Sequence, residues 1–249
     1  MATFPLALVW PIAWLGLTFV ILTASGWVPH PFLDPRKDSD WPTVPTRPHR
    51  RTRMITADMA VSLDLVGSGH DQSFEHPFGP RVGHRLHTWM IKHADENAEE
   101  IAAVVDAGAF VMGRNMCGPD RGGWDLDWTG WWGPEPPCHG PVFVLAHRER
   151  EPLVMEGGTT FHFVTDGLEA AAARAREAAG ERNVSIAGGV TTLNAALAAG
   201  LVDELRLHVA PITIGEGLRV FDGVRDLTLE PVASHTTPWV THVTWRRPT

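Results

Sequence analysis

AFVMGRNM (residues 109–116) and VSIAGGVTT (residues 184–192) follow one pattern: a short apolar run, then glycine, then residues suited to opening a helix. A buried strand that turns through glycine into a helix leaves backbone amides unpaired at the helix start. That arrangement binds phosphate through its N–H groups and the positive helix end. Gly113 lets a ligand approach the backbone, and Arg114 beside it offers a bidentate fork for phosphate. The pair Gly188 and Gly189 opens the second helix and is suited to cradle a pyrophosphate. Neither stretch fits GxGxxG after a first strand or GxxxxGK(S/T), so the ordinary Rossmann and nucleotide-triphosphatase readings fail. Taken singly, each glycine is more often only a tight turn. Their order and spacing within one alternating pattern favour a shared ligand.

Outward from these turns, strand and helix alternate. MITADMAVSLDLV (residues 54–66) reads as one strand, broken by Gly67, Gly69 and Asp71 into a polar loop. Residues 85–93 and 97–107 read as helices, the second with Ile101, Val104 and Val105 on one face and Gly108 as its terminating glycine. PVFVLA (141–146) and TFHFVT (160–165) are short apolar strands, and Asp166 to Glu169 has the form of a capping box for an Ala-rich helix ending at Gly180. After a strand at 184–187 and a helix at 191–199 come alternating strands at 204–211 and 239–246, with Gly215 to Gly217 as a turn between them. The expected class is α/β, a mainly parallel sheet with an antiparallel edge and flanking helices.

The formal net charge of −8, with 29 acidic against 21 basic side chains, lacks the positive field that phosphate backbones require, which argues against nucleic acid. The two cysteines, Cys117 and Cys138, form no CxxC, so neither a disulfide framework nor a structural zinc site is indicated, and a reducing compartment fits. Residues 4–28 are apolar and about long enough to cross a bilayer, although Pro5 and Pro11 interrupt them and the basic start of a secretory signal is missing. Residues 29–53 are Pro-rich and basic, as a linker is. Two readings stand: a membrane anchor whose basic flank, Arg36 to Arg53, holds the downstream side in the cytoplasm, and a start placed too early, ahead of Met54. Both make 54–249 the folded domain and place it in the cytoplasm.

SLD at 62–64, VMGRNM at 111–116, VFVLAHR at 142–148, GGTTFHFVTDG at 157–167, IAGGVTT at 186–192 and DELRLHVAPITIGEGLRVF at 203–221 together resemble the reductase domain of bifunctional riboflavin deaminase-reductases and their stand-alone relatives. The resemblance runs from about residue 54 to 247 in consistent order. It implies a dihydrofolate-reductase-like three-layer fold, NADPH as cofactor, a homodimer, and a place in riboflavin biosynthesis. By it, Gly113, Arg114 and Asn115 meet the cofactor phosphates, and Leu145 to Arg148 lie beside the adenosine half, with His147 or Arg148 near the 2′-phosphate. Gly188, Gly189, Val190 and Thr191 hold the pyrophosphate. The pattern is broken at Met116, where dihydrofolate reductases usually carry threonine, and at Leu65, where the family commonly has glycine. The deaminase signature of HxE with PCxxC is missing.

Asp64 is the candidate catalytic carboxylate, to orient substrate or relay a proton, against a capping role at a strand end. The loop from Gly123 to Gly133 gathers Trp124, Trp128, Trp131 and Trp132. Trp131 and Trp132 are candidates for a wall on which a flat heterocycle stacks, against rings that merely pin the loop or build an interface. His84 and His87 share a helical face without a third ligand at suitable spacing, so no metal is expected. The expected activity is hydride transfer from NADPH to a pteridine-like or ribosylaminopyrimidine-like substrate. The competing expectation is a non-catalytic, dimeric dinucleotide-binding protein on the same scaffold.

Overall fold

The computed structural model describes residues 53–118 and 123–248, together with two strands of the leader, β1 (Val20–Thr23) and β2 (Gly26–Pro29). These two pair antiparallel, so this end of the apolar run is extended where a spanning helix would be coiled. The remainder of the 4–28 run and of the linker up to residue 52 lies outside the described residues. Among the described residues no helix is long and apolar enough to cross a membrane.

The domain continues as β3 (Ile55–Val61), β4 (Val66–Ser68), α1 (Thr88–Lys92), α2 (Ala98–Val105), β5 (Ala109–Gly113), α3 (Arg114–Cys117), β6 (Pro141–Leu145), β7 (Leu153–Val154), β8 (Thr160–Val164), α4 (Leu168–Ala179), β9 (Val184–Ile186), α5 (Val190–Ala198), β10 (Glu204–Val209), β11 (Leu218–Arg219), β12 (Glu230–Thr237) and β13 (Val240–Arg246). Nine strands form one sheet in the order β12-β13-β10-β3-β9-β5-β6-β8-β7. The centre, from β10 to β8, is parallel, and both edges are antiparallel. β3, β5 and β9 are buried nearly throughout because both of their faces are covered.

Successive side chains of β5 point to opposite faces and seed two cores. Val111 joins Ile55, Ile186 and the packed faces of α4 and α5, while Phe110 and Met112 meet Val104 of α2, Cys117 of α3 and Phe161. Four alanines of α4, Ala171, Ala172, Ala175 and Ala179, are buried against the sheet, letting the helix lie close to it. The result is the three-layer arrangement that the resemblance implies.

Several local expectations are corrected. The strand expected over 54–66 stops at Val61. Leu65 adopts φ +61° and donates its N–H to the Ser62 carbonyl, closing a turn before β4. A left-handed residue here explains why the family favours glycine at this point. α2 ends at Val105, and Gly108 serves a close approach instead of a cap: a Cβ there would lie 2.8 Å from the Ala179 carbonyl oxygen. No capping box forms at Asp166, which pairs with Arg174 while Gly167 stands at the N-cap of α4 without a side-chain hydrogen bond. β12 was not expected, since exposed polar residues and Pro231 leave it without apolar alternation. It is an edge strand, where proline is tolerated.

Candidate functional site

The two glycine turns meet. β5 and β9 are parallel neighbours, so their carboxyl ends open side by side. The Gly113 N–H donates to the Gly188 carbonyl at 2.7 Å. A Cβ on Gly113 would lie 2.5 Å from Thr192 Oγ1, so glycine is required there by close packing. Gly188 has φ +96°, a conformation glycine adopts freely, and the Gly188–Gly189 peptide is cis. α5 begins directly after this turn, and no side chain caps its N-terminus, which leaves its first amides for a ligand.

These turns form one wall of a cavity of about 690 Å³. Gly113, Arg114, Asn115 and Met116 line it from the first turn, and Gly189, Val190 and Thr191 from the second. Leu145 and His147 border it at the end of β6, and Trp131 and Trp132 come from the tryptophan loop. Three residues singled out in the sequence do not line it: Gly188, Arg148 and Asp64. Gly188 contributes its carbonyl to the turn just described. The Arg148 carbonyl accepts from Trp124 Nε1 at 3.1 Å.

Asp64 sits instead at a loop junction. Its carboxylate accepts from the Ile214 N–H at 3.0 Å, the Gly215 N–H at 2.8 Å and the Ser62 hydroxyl at 2.7 Å, with Arg219 Nη2 at 3.6 Å. The Ile214 amide first, then the Ser62 hydroxyl, hold this carboxyl far below the ordinary carboxylate range. An acid so firmly ionised and so fully engaged is a clamp between the β3–β4 turn and the 212–215 segment, the capping role set out above as the alternative.

Arg114 stacks on Trp124, its Cζ 4.1 Å from the ring centroid, and Arg150 lies 5.4 Å from the same ring. This holds the Arg114 fork beside the first turn. Trp131 packs edge-on against Trp128 at 4.8 Å, with Phe74 across from both. Trp132 is buried and stacks on Phe161, so one of the two candidate wall residues is largely a core residue.

Sequence reading missed a second wall of the cavity, having weighed His87 only as a metal ligand. Met59, Ser68, Gln72, Phe78 and His87 line the cavity from β3, β4 and the segment that follows, and Thr192 lines it from α5. Gln72 Oε1 accepts from Asn115 Nδ2 at 3.2 Å, tying the two walls together. His87 is buried against Phe78, and burial first, then the neighbouring His84 and His208, push its pKa down to about 3. Nothing in a polar loop marks such residues, because the partners that bury them are distant in sequence.

The other acidic residue of the first strand, Asp58, was also missed. It is buried beside Arg206 at 3.0 Å and His208 at 3.5 Å. His208 Nδ1 shares a hydrogen bond with His242 Nδ1 at 2.7 Å, and His242 Nε2 shares another with Asn97 Oδ1 at 2.8 Å. Glu100, His235 and His242 bring potential ligand atoms within 4.8 Å of one another. Both nitrogens of His242 are already engaged, and exposed His235 pairs with Glu100 at 2.7 Å, so this cluster reads as a hydrogen-bonded patch at the edge of the sheet. Cys117 and Cys138 are free and buried, and burial raises their thiols to about 11 and about 12.

Comparison with known proteins agrees with this architecture. A pyrimidine reductase-like protein from Corynebacterium diphtheriae is 14% identical with a TM-score of 0.50, over 80% of this chain and 93% of that one, a likeness of fold. Acinetobacter baumannii RibD is 15% identical with a TM-score of 0.49, over 80% of this chain and 59% of that one. A dihydrofolate reductase from Enterococcus faecalis, complexed with NADP(H), is 16% identical with a TM-score of 0.46, over 79% of this chain and 97% of that one. No curated protein matches the sequence significantly. The family model of the RibD C-terminal domain matches residues 53–243, and the chain therefore belongs to the RibD C-terminal domain family.

Proposed function

We propose that this domain is an NADPH-dependent reductase acting on a heterocyclic substrate, of the kind that 5-amino-6-(5-phosphoribosylamino)uracil reductases represent. The observation that carries this reading is the junction of the two glycine turns on one cavity wall, where the Gly113 N–H meets the Gly188 carbonyl at 2.7 Å. Family membership supports the reductase class.

The residues present fit a dinucleotide. The uncapped start of α5, at Val190 and Thr191, offers amides to a pyrophosphate, and the absent side chain of Gly189 keeps the backbone approachable. Arg114, held on Trp124, presents a cationic fork, and Asn115 supports it from the same turn. Thr192 brings a hydroxyl to Gly113, a polar group at the turn that leads into the helix carrying Met116 in place of the usual threonine. His147 and Arg148 follow β6 and suit a 2′-phosphate better than a carboxylate would. When bound, the nicotinamide supplies a hydride to an electrophilic carbon, and the reduced substrate takes its balancing proton from solvent. The chain orients the two reactants and keeps the cavity mostly apolar, which limits competing reaction with water.

Calorimetric titration with NADPH and NADH tests the cofactor assignment. Binding of NADPH in the micromolar range, tighter than NADH, is expected. No binding at millimolar concentration by the folded protein overturns it. Assembly as a homodimer in the cytoplasm completes the proposal, and light scattering reads the assembly directly.

A further inference from the structure

Arg114 and Arg148 leave different elements, the first from the start of α3 and the second from the segment after β6, yet one dipeptide holds both. Arg114 lays its guanidinium on the Trp124 ring, 4.1 Å from the centroid, and its Nη2 donates to the Gly123 carbonyl at 3.4 Å. Trp124 Nε1 donates to the Arg148 carbonyl at 3.1 Å, and a Cβ on Gly123 would lie 3.9 Å from Arg148 Nη1. One indole thus offers its face to the first arginine and its N–H to the backbone of the second.

The indole is itself held in place. Phe163 of β8 packs against it at 63°, with centroids 4.7 Å apart. Arg150 lies over both rings, 5.4 Å from Trp124 and 5.2 Å from Phe163, and its Nη2 donates to the Leu126 carbonyl at 3.3 Å and the Trp128 carbonyl at 3.1 Å. Trp128 Nε1 donates to the Cys117 carbonyl at 2.8 Å, which ties the same loop to α3. A loop without strand or helix is therefore stitched to α3 and to the segment after β6 by its own tryptophans. Such stitching matters because arginine side chains are long. Arg148 is exposed, and ordering a freely rotating side chain on a phosphate costs affinity. A guanidinium stacked on a ring loses less on binding, and its N–H edge still faces outward for phosphate oxygens.

We propose that Trp124 is a positioning residue that sets the reach of both arginines toward the cofactor phosphates, through its face for Arg114 and through its N–H for Arg148, and that it thereby contributes to a preference for NADPH over NADH. The inference rests on the reductase reading and deepens it. Trp124 does not itself line the cavity, so it acts through the arginines and not on the ligand.

The two actions of the indole are separable by substitution. Trp124→Phe keeps an aromatic face and removes the donor, whereas Trp124→Leu removes both. Calorimetric titration of each variant with NADPH and NADH is the test. Trp124→Phe is expected to weaken NADPH about fivefold and NADH by less than about twofold, the scale of one neutral hydrogen bond. Trp124→Leu is expected to weaken NADH about fivefold as well, because Arg114 loses its platform. In a chain already carrying Arg148→Ala, Trp124→Phe should cost no further NADPH affinity, a non-additivity that general loosening of the loop would not produce. Equal losses for both cofactors in Trp124→Phe, no loss in either variant, or full additivity with Arg148→Ala overturns the proposal. The parent titration reports on the reductase reading separately. A folded parent that binds neither cofactor overturns that reading and this inference with it, while a parent that prefers NADPH leaves the variants to decide the role of Trp124 alone.

Discussion

Thr192 Oγ1 lies 2.5 Å from the position a Cβ on Gly113 would occupy, so the helix that follows one glycine turn is seated against the glycine of the other. Gly113→Ala is expected to force these elements apart, with a loss of about 1–3 kcal/mol of stability, as overpacking gives. Thr192→Ala in the same chain removes the clashing oxygen and should recover at least half of that loss. Urea denaturation of the two variants and the parent checks this. A fully stable Gly113→Ala protein would contradict the packing described.

Arg114 and Arg148 should separate the two phosphate subsites. Arg114→Gln removes the charged fork on Trp124 and is expected to weaken NADPH and NADH alike by roughly 10- to 100-fold, the range for a charge-assisted hydrogen bond. Arg148→Ala is expected to weaken NADPH by about tenfold and leave NADH unchanged, because only NADPH carries the 2′-phosphate. Calorimetry with both cofactors on both variants distinguishes the patterns.

Asp64 should matter for stability and not for turnover. Asp64→Ala strands the Ile214 and Gly215 amides and the Ser62 hydroxyl, with an expected loss of about 1–3 kcal/mol. Steady-state turnover of the surviving folded protein should stay within threefold of the parent. Its carboxyl titrates lower in the folded chain than in the unfolded chain, so its contribution is present above the ordinary aspartate range and fades as pH falls below about 4. A turnover loss of a hundredfold at unchanged stability would restore the catalytic role.

Acid sensitivity should begin earlier, through the buried histidines. Burial pushes His87 down to about 3 and lowers His242 from its ordinary value of 6.5, with His208 adding to both shifts. The unfolded chain therefore takes up protons first, near pH 6.5, and stability declines from there toward pH 3. Denaturation at pH 7.5 and pH 5.0 is expected to differ by on the order of 2 kcal/mol. His87→Phe should remove about half of that difference and leave the share of His242, while a pH-independent parent would show these rings to be solvated.

Asn97 links this region. Its Nδ2 donates to the His93 carbonyl at 2.7 Å and its Oδ1 meets His242 Nε2. Asn97→Leu leaves both buried groups unpaired and should cost about 2–4 kcal/mol, read as a lowered urea midpoint at unchanged slope.

The alternation of β5, β6, β8 and β9 with α4 and α5 was legible because buried parallel strands are short apolar runs and Ala-rich helices end at glycine. The same runs carried the two glycine turns, since a glycine at a strand end is a local signal. Met116 and Leu65 were legible as departures, although only the φ of +61° at Leu65 shows what that departure does. Trp132, largely a core ring although it reaches the cavity, could not be told from Trp131 by composition.

What tertiary structure alone decided is which distant residues share a surface. Gln72 reaches Asn115 across 43 positions, and Asp64 finds its amide donors 150 and 151 positions away. No local period encodes such pairings. Sequence by itself determined the central alternation of strands and helices, the two glycine turns and the family. The far wall of the cavity, the clamp at Asp64 and the buried chain from Asp58 to Asn97 follow from strand order, because a side chain's environment is set by the elements that fold against it.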